Sequence, residues 1–130
     1  MRVNEDGWLL CKVCDEYYSH LVATIRAFDD DCYSLTKILV NGIYEIPVRE
    51  VSYPYRSQGN IHLVFTCESG HYFIVSFDGH KGNVNVDQNL LMEKLADFLN
   101  HETREGRLPV SLGFNYQLLG CIEKFFHQDS

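Results

Sequence analysis

Cys11-Lys12-Val13-Cys14 and Cys67-Glu68-Ser69-Gly70-His71 are the stretches of this chain whose residue types and spacing suit metal chemistry. A C-x2-C and a C-x3-H each supply half of a tetrahedral zinc site, because a tight turn brings two ligand atoms together. Cys11, Cys14, Cys67 and His71 would make a closed set of three thiolates and one imidazole. Such a set leaves no coordination position for substrate, which favours a structural Zn2+ over a catalytic one. Gly70 can take the positive φ that a metal-binding turn demands. The first motif runs on into Asp15-Glu16, and Asp enters the left-handed region less readily than glycine. The competing reading makes Cys11 and Cys67 small core residues on strands, or an adjacent pair of thiols redox-active. Cys32 and Cys121 belong to no paired motif and are expected to play no part in metal binding.

Other arrangements are weaker. His62, His71 and His80 with Asp78 could form an open hydrolytic metal site. They show no helical H-x-x-x-H pairing, and His62 alternates onto the strand face opposite Cys67. His80 reads as a turn residue with the capacity to replace His71 as a ligand. Ser69 beside His71 lacks the G-x-S-x-G elbow of a nucleophile, and Gly79-x-x-Gly82 is too short for a phosphate loop. No catalytic residue is assigned.

The elements that must position these ligands are legible from punctuation and periodicity. Lys37–Val40 and Ile43–Val48 flank Asn41-Gly42, the preferred two-residue type I′ turn. Pro47 places the second strand at an edge. Leu21–Phe28 reads as a strand, followed by a turn over Asp29 to Asp31, and 53–60 reads as a loop. Ile61, Leu63, Phe65 and Cys67 share one face of a strand, with His62, Val64 and Thr66 on the other. His71, Phe73, Val75 and Phe77 continue the alternation after the knuckle, so the metal would sit at a hairpin tip. A turn over Asp78–Gly82 leads to a third strand, Asn83–Val86. Asp87 is the expected N-cap of a helix with an apolar stripe of Leu91, Leu95, Phe98 and Leu99. Gly106 and Pro109 end it. Leu118, Cys121, Ile122 and Phe125 define a second amphipathic helix.

The fold expected is therefore α+β: an antiparallel sheet with zinc-ribbon-like knuckles, then one or two C-terminal helices packed on it. One domain spans 1–130, with a β-rich metal-binding part at 8–86 and a helical part at 87–127. At 130 residues, with 45% hydrophobic and 13% aromatic residues, the chain can bury a core of its own. No apolar run reaches membrane-spanning length, and the first residues do not resemble a signal peptide. Five cysteines, an odd number, fit thiols kept reduced for metal. The expected location is the cytoplasm.

The two knuckles, with Thr66-Cys67-Glu68-Ser69-Gly70-His71-Tyr72-Phe73 carrying the more specific half, resemble those of a zinc ribbon split by an inserted hairpin. The stretch is similar to small bacterial zinc-ribbon-like proteins, over roughly residues 8–86. The resemblance implies metal ligands at Cys11, Cys14, Cys67 and His71. Many ribbons have four cysteines, a shorter gap and basic strands, and this chain departs from all three. Its net charge is −7, with Asp29-Asp30-Asp31 the only acidic run and no basic cluster, which disfavours nucleic acid as a partner. The expected function is a non-catalytic, zinc-stabilised protein that binds another protein as a regulator or accessory subunit. Tyr44, Tyr53 and Tyr55 are candidate interface anchors. The alternatives are a nucleic-acid-binding ribbon, using Arg49, Arg56 and Lys81 near Tyr53 and Tyr55, and a metal-dependent hydrolase.

Overall fold

A computed structural model describes residues 1–29, 35–48 and 59–127. Six strands form one antiparallel sheet: β1 (Ser19–Asp29), β2 (Leu35–Val40), β3 (Tyr44–Pro47), β4 (Asn60–Cys67), β5 (Tyr72–His80) and β6 (Asn83–Val86). Their spatial order is β3-β2-β1-β4-β5-β6. Two helices follow, α1 (Leu90–Arg104) and α2 (Tyr116–His127), giving an α+β architecture. Cys32, Arg49, Tyr53, Tyr55 and Arg56, the Asp30-Asp31 part of the expected turn and nearly all of the expected 53–60 loop lie outside the described residues.

The sheet has two differently covered faces. Val22, Ala23, Ile25 and Ala27 of β1, Ile38 and Val40 of β2, Val64 of β4 and Tyr72 and Ile74 of β5 are buried with Met92, Leu95 and Leu99 of α1 and Leu118, Ile122 and Phe126 of α2. Each of the large side chains here contributes about 1.5–3 kcal/mol by leaving water. On the other face Phe73, Val75, Cys11 and Cys67 are buried together, with Leu9, Phe65 and Phe77 packed around them. This second cluster exists because the N-terminal segment folds back over β4 and β5.

A bulge in β1 sets which side chains go where. Leu21 pairs with Phe65 and Ala23 with Val64, so Val22 is an extra residue. Strict alternation would put Leu21 on the side of Ala23 and Ile25. The bulge reverses the phase, leaving Leu21 52% exposed while Val22 and Ala23 are both buried.

Three local expectations change. Asn41 and Gly42 have φ of 52° and 74°, and Ile43 N–H bonds Val40 O at 3.2 Å, as a type I′ turn requires. However, the first ladder pair is Val40 with Tyr44, so Ile43 is a third loop residue. The turn expected over Asp78–Gly82 shrinks to Lys81-Gly82, because β5 continues through His80. The helix N-cap is Asn89, whose side chain accepts from Met92 N–H at 3.1 Å, and not Asp87.

Asp87 instead seals the edge of the sheet. β6 pairs only with residues 77–80 of β5, which leaves the first half of β5 without a strand neighbour on that side. Side chains take the place of a strand. Asp87 Oδ1 accepts from Ser76 N–H at 2.8 Å, Lys12 Nζ donates to Ile74 O, and Asn100 brackets Tyr72 through both its N–H (2.8 Å) and its C=O (2.9 Å). Burial acts to raise the Asp87 carboxyl pKa, but Lys12, the N-terminal ammonium and the Ser76 N–H outweigh it and hold it below the usual value. β3 at the opposite end of the strand order carries Pro47, as an edge strand permits.

A polar network runs beneath the start of α1. His62 is fully buried, its Nδ1 2.9 Å from Ser76 Oγ and its Nε2 4.0 Å from Asp78 Oδ1. Asn89 Nδ2 donates to Asp78 Oδ2 at 3.1 Å, tying the helix cap to the sheet. Desolvation lowers the His62 pKa from 6.5 to about 4, against the pull of Asp78. The unfolded imidazole takes up a proton first as pH falls, so this stabilisation is complete above about 6.5 and lost as pH drops towards about 4. Thermal melts between those pH values should show a steeper loss of stability in the native chain than in His62→Gln. The native chain should lose about 3 kcal/mol more than the variant over that range. Parallel curves for the two proteins would refute this account.

Candidate metal centre

The ligand side chains reach the centre from two turns. β4 ends at Cys67 and β5 begins at Tyr72, so the four-residue connection Glu68–His71 forms a tight hairpin tip. Cys67 N–H bonds His71 O at 2.9 Å, and Gly70 N–H bonds Cys67 O at 3.0 Å. Gly70 has φ +95°, and a Cβ there would meet only Val110 Cγ2 at 3.8 Å. The turn needs glycine for its backbone conformation and not for space. In the first turn Asp15 takes the left-handed conformation itself, φ 64°, with its N–H on Cys11 O at 3.0 Å and its carboxylate on Arg2.

One ligand atom from each of Cys11, Cys14, Cys67 and His71 lies within 4.8 Å of all the others. Cys14 Sγ is 3.8 Å from Cys67 Sγ, and Cys67 Sγ is 3.4 Å from His71 Nδ1. A tetrahedral ion with metal–sulfur bonds of about 2.3 Å and metal–nitrogen bonds of about 2.0 Å would space sulfurs about 3.8 Å apart, and nitrogen from sulfur about 3.5 Å. The cluster therefore has the dimensions of a four-ligand metal site, and these residues could hold a metal ion.

Its electrostatic setting differs from thiol to thiol. Val13 N–H points at Cys11 Sγ, and His71 N–H at Cys67 Sγ, both at 3.4 Å. Cys11 is fully buried, and burial pushes its thiol up to about 11, against the Val13 and Cys14 N–H groups. Exposed Cys14 differs. Desolvation acts upward there, but the Glu16 N–H and the side chains of Cys67, Cys11 and Ser69 prevail, and its pKa is lowered. A buried thiol that resists ionising alone ionises beside a divalent cation, which repays its desolvation.

The structure separates the three histidines. His62 is buried on the helix-covered face, beneath α1. His71 stands at the hairpin tip. His80 ends β5, eight residues beyond Tyr72, which at about 3.3 Å per residue puts it roughly 26 Å along the strand. That backbone position is far from His71, and among the described residues the group close enough to hold a metal ion is Cys11, Cys14, Cys67 and His71. The His62–Asp78 proximity was the part of the open-site reading the fold realises, as an internal network. Cys121 lies on α2, packed against the helix-covered core, and is not part of this cluster. Tyr44 is half-buried, stacked on Phe114 at 5.5 Å and within 3.3 Å of the Tyr116 hydroxyl.

Sequence reasoning missed what surrounds the ligands. A cleft of about 390 Å³ opens beside His71, between Val13 and Gly70 on one side and Asp97, Asn100, Thr103 and Arg104 of α1 on the other. A second groove, lined by Trp8, Tyr17, Tyr18, Ser19 and His20, flanks the first knuckle. The signal for it was present: aromatic residues bracket the C-x2-C on both sides. Comparison with known protein families, curated proteins and solved structures finds no match to this chain.

The buried clusters predict how the site fails. The larger core contains none of the four ligands, whereas the smaller one contains two. Cys11→Ser and Cys67→Ser should each abolish metal retention, measured by elemental analysis, and lower the melting temperature by roughly 10 °C. Limited proteolysis of either variant should cut within residues 1–18 while leaving the sheet and helices intact. Cys121→Ser should keep its metal. A native chain that never holds metal, or a Cys11→Ser protein with full metal content, would defeat the assignment.

Proposed function

We propose that this protein is a non-catalytic module, stabilised by one structural Zn2+, that works by binding another protein. The observation that carries the reading is the ligand set itself. Three sulfurs and one imidazole nitrogen, all within 4.8 Å of one another, would saturate zinc, which prefers thiolate and imidazole in closed structural sites. A saturated ion holds no activated water, so hydrolysis loses its usual route. The pairing of a C-x2-C turn with a strand–knuckle–strand hairpin supports a zinc-ribbon-like centre. The ion would bind the N-terminal segment to β4 and β5 and so fix the shape of that face.

The charge balance favours a protein partner over nucleic acid. Among the described residues, Arg2 pairs with Asp15, Lys12 with Asp87, Lys37 with Glu45, and both Arg107 and Lys124 with Glu102. These cations are engaged internally within a chain of net charge −7, and phosphate binding needs cations that can release counterions. No helix among the described residues is long and apolar enough to cross a membrane. A cytoplasmic setting would keep the thiols reduced.

Cobalt substitution tests the coordination. The Co2+ form should show the intense visible absorption of a tetrahedral three-sulfur, one-nitrogen site, unaltered by azide or cyanate. Purified protein should contain about one zinc per chain. Metal-loaded bait should retain a specific partner that chelator-treated bait releases. A five-coordinate spectrum that shifts with added anion, accompanied by ester or phosphoester hydrolysis, would replace this reading with an enzyme.

A further inference from the structure

Trp8, Tyr17 and Tyr18 are the largest aromatic side chains left open on the N-terminal segment, 60%, 47% and 53% exposed. They line one groove of about 430 Å³ together with Ser19 and His20. Isolated exposed aromatics are ordinary, but three converging on one concave surface are not. Tyr17 and Tyr18 lie with ring centroids 4.4 Å apart and their hydroxyls 3.3 Å apart, so the pair forms a set wall. Trp8 is held from the other side by Asn4, whose N–H bonds Trp8 O at 2.9 Å and whose Oδ1 accepts from Trp8 N–H at 2.9 Å.

No carboxylate lines the groove itself, but two are hydrogen-bonded to residues that do. Glu16 Oε1 accepts from both Tyr17 N–H (3.0 Å) and Tyr18 N–H (3.1 Å). Glu68 N–H bonds Tyr18 O at 3.0 Å, and its half-exposed side chain reaches His20 Nε2 at 3.3 Å. Glu5 and Asp6 occupy the turn just before Trp8. The nearby cations Arg2 and Lys12 are turned to Asp15 and Asp87, and among the described residues His20 is the one basic side chain lining the groove. Aromatic faces and carboxylates attract the same thing, a cation with an apolar stem.

We infer that this groove is the docking site for an arginine- or lysine-bearing extended segment of the partner protein, with the cationic side chain laid against Trp8, Tyr17 and Tyr18 and its charge met by Glu16 and Glu68. This deepens the protein-binding function proposed above and rests on it. Trp8 and Tyr17 lie on either side of Cys11 and Cys14, so the metal centre that secures this segment also shapes the groove. An arginine fits best, because its guanidinium stacks on rings and still offers N–H donors at its edge to a carboxylate.

Trp8 is the chain's single tryptophan, so its fluorescence reports on the groove directly. The metal-loaded full chain is titrated with a capped Gly-Arg-Gly-Arg-Gly peptide and with the same peptide carrying neutral citrulline for arginine. Saturable quenching is expected, with the arginine peptide at least about tenfold tighter than the citrulline one. Raising the salt from about 50 to 500 mM should weaken the arginine peptide several-fold and leave the citrulline peptide unchanged. Glu68→Gln should cost about fivefold in affinity, and Tyr18→Ala more, at unchanged zinc content and melting temperature. The salt series on the native chain decides the matter even if a variant misfolds. Equal affinity for the two peptides, no saturable response, or a signal that follows self-association of the chain would each overturn the assignment. Capture of a partner that survives Glu68→Gln and Tyr18→Ala would also overturn it while leaving the protein-binding function standing.

Discussion

The hairpin tip between β4 and β5 is the constraint on which the second face of this protein depends. Cys67 and His71 are fixed there by a short turn, and β4 and β5 hold that turn rigidly in the sheet. The N-terminal segment, with two more ligands, has little regular structure of its own: a single bridge between Val3 and Leu9 and a few turn bonds. Ordering such a segment costs about 1–2 kcal/mol per residue in backbone entropy alone. A small apolar cluster of Cys11, Leu9, Phe73 and Val75 offsets only part of that. A metal ion shared by the two turns would convert two loose halves into one closed unit, since its binding free energy would become folding free energy.

That arrangement divides labour across the sheet. The helix-covered face is a conventional core, pinned at the top of α1 by the His62–Asp78–Asn89 network and between the helices by buried Glu102, which receives Arg107 and Lys124. Buried polar groups are costly unless satisfied, and here each has a partner that also links two elements. The opposite face carries the candidate metal ligands, and its cover is a segment and not a helix. Asp87 and Lys12 join the two systems: together they cap the open edge of β5 and anchor the start of the chain. Stability of the edge and position of the metal knuckle are thus coupled through one ion pair.

Sequence alone determined a good deal. The closeness of Cys11, Cys14, Cys67 and His71 was legible in part because each turn is local: four residues in one and five in the other fix both spacing and conformation. Strands and helices were legible for the same reason, through the two-residue alternation of β4 and β5 and the helical spacing of Leu95, Phe98 and Leu99. The Asn41-Gly42 turn and the edge position of Pro47 followed from backbone stereochemistry that no tertiary contact overrides. What only the tertiary structure decided was non-local. The bulge at Val22 adds one residue to β1, invisible in composition, yet it decides that Leu21 faces out while Ala23 faces in. Asp87 looked like a helix cap because capping chemistry is local, but the bare edge of β5 competed for its carboxylate and won. His62 and Asp78 lay sixteen positions apart in sequence as possible ligands, and only strand pairing showed them as diagonal neighbours beneath a helix. The convergence of Trp8, Tyr17 and Tyr18 likewise required the chain to fold back over the sheet, a consequence of closing the two cysteine turns on each other that spacing in sequence does not record.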